Sequence, residues 1–151
     1  TVKTLFPSGL PLGLEINRME AESDDLQMAA KEYEACLPRT IDILLLGLGS
    51  DGHIASLFPG SSVFSEIDQL VVPVTDSPGA HNRLTVTPSV VNSARHIFLL
   101  APGEEKGRVL RRALRDADDV SSLPVRMTLR GTWLLDVSAA IQVNSDLDDT
   151  E

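Results

Sequence analysis

Residues 41–46 (IDILLL) form a short, almost continuous apolar run, followed at once by the glycine-rich turn Gly47-Leu48-Gly49-Ser50-Asp51-Gly52. The run is too short for a typical helix and lacks the alternation of a half-buried strand. It suits a strand buried on both faces, as in a parallel sheet. Residues 97–101 (IFLLA), followed by Pro102-Gly103, repeat the pattern. Further strands are expected at 71–74, where Pro73 suggests an edge or a bulge, at 83–87 and at 132–137. A first helix is expected with Ser23 as N-cap and Asp24 and Asp25 in its first turn. It carries Leu26, Ala29, Ala30, Tyr33 and Leu37 at helical spacing and stops at Pro38. Thr87-Pro88 reads as a second helix start. A third helix is expected over 103–117, with Val109, Leu110, Ala113 and Leu114 facing inward. Strands alternating with helices give an α/β fold of Rossmann-like type: a mostly parallel sheet with helices on both faces. Ligands of such sheets bind beyond the carboxyl ends of the strands, where residues 47–53 and 102–106 fall.

The 151 residues suit a single domain, and 42% hydrophobic residues can supply its core. The formal net charge of -9 argues against a nucleic-acid partner, which needs a basic face, but leaves room for a small anionic substrate. No apolar run approaches the length of a membrane span, and the first residues have no basic-then-apolar pattern of a secretion signal. The lone Cys36 permits no disulfide within the chain and suits a reducing, cytoplasmic setting. Its helical spacing with Ala29, Tyr33 and Leu37 predicts a small buried side chain. The first 22 residues read as an irregular lead-in and residues 144–151 (NSDLDDTE) as an acidic tail. Because the chain opens on Thr1, an incomplete translation product is expected.

The turn after the first strand carries the chemistry. Gly47, Gly49 and Gly52 allow a sharp turn and close backbone approach to a ligand. Asp51 and His53 stand where side chains can converge on a crevice, and an imidazole with an ordinary pKa of about 6.5 can take and return a proton near neutrality. From spacing alone, His53 could equally pin the turn and Asp51 cap a short helix after it. The same glycines match G-x-G-x-x-G after a strand, with Asp76 placed for a ribose, the fingerprint of a dinucleotide-binding domain. Pro59-Gly60 interrupts the long helix that this reading needs, and His53 comes directly after the third glycine. Three histidines and one cysteine show no zinc spacing, so neither metal nor cofactor is expected. Arg108, Arg111, Arg112 and Arg115 read as the wet face of a helix, His81 and His96 as structural or solvent-facing, and Trp133 as core. Lys106 falls in the first turn of a helix after a buried strand, where free N–H groups attract anions; the alternative is a solvated lysine balanced by Glu104 and Glu105.

GLGSDGHIASLFPG, residues 47–60, closely resembles the G-x-G-x-D-G-H-x-A-S-L-F-P-G signature of the glucosamine-6-phosphate isomerase/6-phosphogluconolactonase family, on its lactonase side. Arg83-Leu84-Thr85-Val86-Thr87-Pro88, Phe98-Leu99-Leu100 through Lys106, Leu123-Pro124-Val125-Arg126 and Trp133-Leu134-Leu135-Asp136 extend the resemblance. It implies hydrolysis of 6-phospho-D-glucono-1,5-lactone, with His53 as base, Asp51 orienting it or holding the turn, Gly47, Gly49 and Gly52 at the substrate pocket, Lys106 on the substrate phosphate, and Arg83 facing that phosphate or shaping the pocket. The related deaminases place a glutamate where this chain has Phe58. Whole family members begin with a phosphate loop (Ser-Gly-Gly) and an Asp-Glu-Arg segment, neither of which occurs here. Residues 1–143 therefore resemble the C-terminal part of one such domain, and the N-terminal part is expected to complete the site.

Overall fold

The structure, a computed structural model, describes residues 6–75, 82–117 and 119–145. In chain order they form α1 (Leu26–Cys36), β1 (Ile43–Gly47), a 3-10 turn (Ser62–Ser65), β2 (Val71–Val74), β3 (Arg83–Val86) and α2 (Pro88–Ser93). Next come β4 (His96–Leu100), α3 (Glu104–Arg115), a second 3-10 segment (Pro124–Thr128), β5 (Thr132–Leu134) and α4 (Val137–Asn144). Strands β1, β4 and β5 pair in parallel in the order β1-β4-β5, and β2 and β3 make a separate antiparallel pair. The α/β class and the parallel sheet agree with the expectation from sequence. Pro73 sits in the two-stranded sheet, opposite Leu84.

Each strand–helix connection of the parallel sheet contributes to one core. Leu46, Ile97 and Leu99 point to the same face and are buried with Val91, Leu110, Ala113, Leu123 and Val125. Continuous apolar strands read as covered on both faces, but the opposite face of this sheet is open. Ile43 and Leu45 of β1 are 65% and 62% exposed, and Leu100 and Leu134 are exposed beside them. The register pairs Leu45 with Phe98 and Leu100 with Leu134, so these side chains share one face. Among the described residues β1 is also an edge strand rather than a central one.

Several local expectations are corrected. The first helix is capped by Asp25, whose carboxylate accepts from the Met28 N–H at 2.9 Å, rather than by Ser23. Its apolar stripe is narrow, and Cys36 in its last turn is exposed, not buried. On α3, Leu110 and Ala113 are buried as expected, but Leu114 faces solvent. The last strand ends at Leu134. Asp136 then caps α4 by accepting from the Ala139 N–H at 2.8 Å, a helix that the run of apolar residues through Val137 disguised as strand. The acidic tail beyond Ser145 lies outside the described residues. No helix among the described residues is long and apolar enough to cross a membrane.

Candidate active site

Gly47 ends β1, and the chain turns back on itself within six residues. The Gly49 N–H donates to the His53 carbonyl at 2.8 Å and the Gly52 N–H to the Gly49 carbonyl at 3.1 Å. Ile54 then bridges both Leu48 and Leu57. Ile54 and Leu57 are fully buried, so the loop is anchored by its own apolar residues while Asp51 and His53 stay at the surface. On its other side, the Val125 N–H donates to the Gly52 carbonyl at 2.9 Å. Gly52 has φ +94°, and a Cβ there would lie 2.5 Å from Leu123 Cδ1. Only glycine satisfies both the left-handed backbone and that close approach.

Within the turn, the Asp51 carboxylate serves His53 twice. Its Oδ1 accepts from the His53 backbone N–H at 3.1 Å and lies 2.6 Å from Nδ1 of the ring. Burial of Asp51 opposes its ionisation, but the His53 N–H, the imidazole and their charge outweigh it and hold the carboxyl below its ordinary value. Asp51 therefore stays an anion, and its bond to Nδ1 leaves Nε2 as the basic nitrogen of the neutral ring. The side chains of His53 and Asp51 keep 30% and 44% of their exposure, enough for a ligand to reach them. Gly49 lies under the pair: a Cβ would fall 2.1 Å from His53 Nδ1 and 2.7 Å from Asp51 Oδ1. The amides of Gly49 and Gly52 are spent inside the turn. They are not free to stabilise an oxyanion.

Phe58 borders the dyad. Its ring centroid is 4.6 Å from that of His53, and the Arg83 guanidinium carbon lies 5.5 Å above the same ring. Arg83, at the start of β3, has its Nε buried without a hydrogen-bond partner. The structure thus brings together His53, Asp51, the three glycines and Arg83 from a region of over thirty residues. Lys106 joins them only by position. Gly47 pairs with Leu100 across the parallel strands, so the first turn of α3 rises from the same sheet edge as the glycine turn. Lys106 is half-buried and makes no ion pair among the described residues. Glu104, its expected balance, accepts from Arg108 at 2.8 Å and from Gln142 at 3.1 Å instead.

The expected wet face of α3 is visible in that Arg108–Glu104 pair and in Arg112–Asp116 at 3.3 Å. Trp133 is partly buried, its Nε1–H donating to Thr128 Oγ1 at 2.9 Å. His96 is exposed, whereas His81 and Asp76 lie outside the described residues. The dinucleotide reading loses its main support, because Gly52 leads into turns and two isolated bridges rather than a helix packed on the sheet. Among the described residues no group of three metal-ligating side chains gathers. Sequence reasoning missed two contributors. Phe58 counted only as a position of the signature and the residue in place of a deaminase glutamate, and Asp136 only as the end of a resembling segment, with no structural role. The Asp136 carboxylate also accepts from the Gly103 N–H at 3.0 Å, fixing the turn that leads to Lys106. The Gly103 N–H, then that of Ala139, hold the Asp136 carboxyl below its ordinary value. An aspartate before Val-Ser-Ala is an N-cap signal, and it could have been read.

Comparison with known proteins gives a consistent family. The sequence profile of glucosamine-6-phosphate isomerases/6-phosphogluconolactonase matches residues 3–135. A rat 6-phosphogluconolactonase is 36% identical over 126 residues, which cover 80% of this chain and 48% of the relative. The crystal structure of 6-phosphogluconolactonase from Leishmania guyanensis superposes with a TM-score of 0.62 at 32% identity, over 76% of this chain and 52% of the other. A monomeric glucosamine-6-phosphate deaminase superposes equally well, with a TM-score of 0.62 at 27% identity over 80% of this chain and 56% of the other. The chain spans about half the length of the curated relatives it matches.

Proposed function

The chain belongs to the glucosamine-6-phosphate isomerase/6-phosphogluconolactonase family, and from that premise we propose that it carries the acid–base half of a 6-phosphogluconolactonase site. The reaction is hydrolysis of 6-phospho-D-glucono-1,5-lactone to 6-phosphogluconate. The observation that carries the reading is the 2.6 Å contact between Asp51 and His53 Nδ1, held at the carboxyl end of a parallel strand. A lactone is an ester, so water must attack its carbonyl carbon. His53 Nε2 takes a proton from that water as it adds. The tetrahedral oxyanion then collapses, the bond from the carbonyl carbon to the ring oxygen breaks, and His53 returns the proton to that oxygen. Asp51 keeps the imidazole in the tautomer with Nε2 unprotonated and stabilises the imidazolium formed in between. Phe58 at the deaminase glutamate position favours lactone hydrolysis over deamination, because that place holds no carboxylate.

The lactone's phosphate supplies remote binding energy that aligns the carbonyl with His53. Lys106, in the first turn of α3, and Arg83, with its unpartnered Nε, are the cations of this chain assigned to it. The open face of the sheet and the unpaired edge of β1 support a further part: the half of the relatives' length that this chain does not span covers that face and completes the site. The lone cysteine agrees with a reducing, cytoplasmic setting.

Two experiments test this reading. Lactone hydrolysis above the spontaneous rate is expected from a protein of the relatives' full length containing this sequence; no acceleration there would overturn the assignment. Lys106→Ala in that protein is expected to raise KM for the phosphorylated lactone roughly 10- to 150-fold, the worth of a hydrogen bond to a charged group. KM for the unphosphorylated lactone should change little, and equal effects on both substrates would remove Lys106 from the phosphate site.

A further inference from the structure

We propose that Phe58 is a positioning residue of this site, a rigid aromatic plate that sets the His53 imidazole and the Arg83 guanidinium relative to one another. The inference rests on the lactonase reading but goes beyond it, since neither the acid–base chemistry nor phosphate binding requires an aromatic ring there.

The 2.6 Å contact from His53 to Asp51 fixes Nδ1. One such bond leaves the ring able to tilt about that contact. The Phe58 ring, 4.6 Å away and inclined at 49°, packs against the imidazole and restricts that tilt. Together the two contacts fix where Nε2 points. The same ring presents its π face to the Arg83 guanidinium carbon at 5.5 Å, within the range of a cation–π contact. A buried N–H donor normally has a hydrogen-bond partner, yet Arg83 Nε has none. Among the described residues the aromatic face rather than a carboxylate therefore holds the guanidinium.

Phe58 can serve as a reference because it is enclosed and its segment is tied down. It is 5% exposed. Leu57 before it is fully buried and bridged to Ile54. After it, the Ser61 N–H donates to the Phe58 carbonyl at 3.0 Å and the Gly60 N–H to the Ser121 carbonyl at 2.8 Å. Base and cation approach this plate from separate segments, the glycine turn and β3. The ring thus converts two independent side chains into one preset geometry. The charged groups facing His53 here are Asp51, directly, and Arg83, across the ring.

The test compares Phe58→Leu and Phe58→Met, which fill volume without a π face, with Phe58→Tyr, which keeps it. In the isotope-labelled chain, NMR of the imidazole nitrogens above neutral pH reads the His53 tautomer, with His81→Gln and His96→Gln assigning the signals. A single Nδ1–H tautomer is expected in the parent and in Phe58→Tyr, and a mixture with Nε2–H in the leucine and methionine variants. In the full-length enzyme the same two variants should lose about 10- to 100-fold in kcat, the scale of a misplaced catalytic group, and Phe58→Tyr should recover most of it. Unchanged tautomer and kcat in both non-aromatic variants would overturn the proposal, as would a Phe58→Tyr that behaves like them while folded. The tautomer experiment needs no substrate. A positive tautomer result without lactone hydrolysis would leave the plate standing and refute only the lactonase reading.

Discussion

Replacing His53 with alanine in the full-length enzyme is expected to lower kcat for lactone hydrolysis by about 100- to 10,000-fold, the usual contribution of a general acid–base group. The fold should survive. The His53 side chain is 30% exposed, and the loop is anchored by its neighbours Ile54 and Leu57 rather than by the imidazole. The backbone bond from Gly49 N–H to the His53 carbonyl is independent of the side chain. Thermal unfolding should therefore shift little while kcat collapses, and KM should stay near its parent value because phosphate binding is assigned to other groups. A variant within a few-fold of the parent kcat would reduce His53 to a residue that pins the turn. Asp51→Asn separates the two roles of Asp51. Its amide can still accept from the His53 backbone N–H but gives up the anion opposite Nδ1, so a large loss in kcat without a loss of stability would assign Asp51 to the chemistry.

The parallel core of this fold and the geometry of most of the candidate site were legible in the sequence because both rest on local patterns. Residues 41–46 and 97–101 read as strands since apolar runs of that length have few other uses, and they pair in parallel with the glycine turn at the carboxyl end. Asp51 and His53 are two residues apart, so a tight turn alone brings them together. The features that could not be read depend on distant segments. The open face of the sheet is decided by which elements lie against it, and Ile43 and Leu45 look no different in sequence from Leu44 and Leu46. Cys36 occupied an apolar-looking helical position, but α1 buries Ala29 and Ala30, packs Tyr33 against the core, and leaves Cys36 in solvent. The stacking of Arg83 on Phe58 joins residues that no spacing relates. Nor does composition indicate that the Gly49 and Gly52 amides are consumed within the turn, since glycine permits both an open and a closed loop.

Gly49→Ala is the sharper test of the dyad, because it adds one methyl group and removes nothing. The added Cβ would lie 2.1 Å from His53 Nδ1, 2.2 Å from Cε1 and 2.7 Å from Asp51 Oδ1. Unbonded heavy atoms rest at about 3.5 Å or more, so the imidazole must retreat by roughly 1.4 Å. It cannot simply rotate aside, with Phe58 packed against it at 4.6 Å. Either the bond to Asp51 stretches or the whole dyad shifts. A displacement near 1 Å can cost about 100-fold when it misaligns a reacting group, and a loss of that order in kcat is expected. Stability should respond differently. Gly49 does not have the positive φ of Gly52, and the atoms its Cβ would strike belong to partly exposed side chains rather than to the core. Gly52→Ala provides the contrast: with φ +94° and Leu123 Cδ1 at 2.5 Å, its cost falls on a buried residue and on the backbone, so its melting temperature should drop. A Gly49→Ala enzyme with parent kcat would show that the dyad can move without consequence, and the acid–base role of His53 would fall with it. Loss of kcat at an unchanged melting temperature, with the Nδ1–H signal of His53 altered, is the combination that only a positioned His53–Asp51 pair produces.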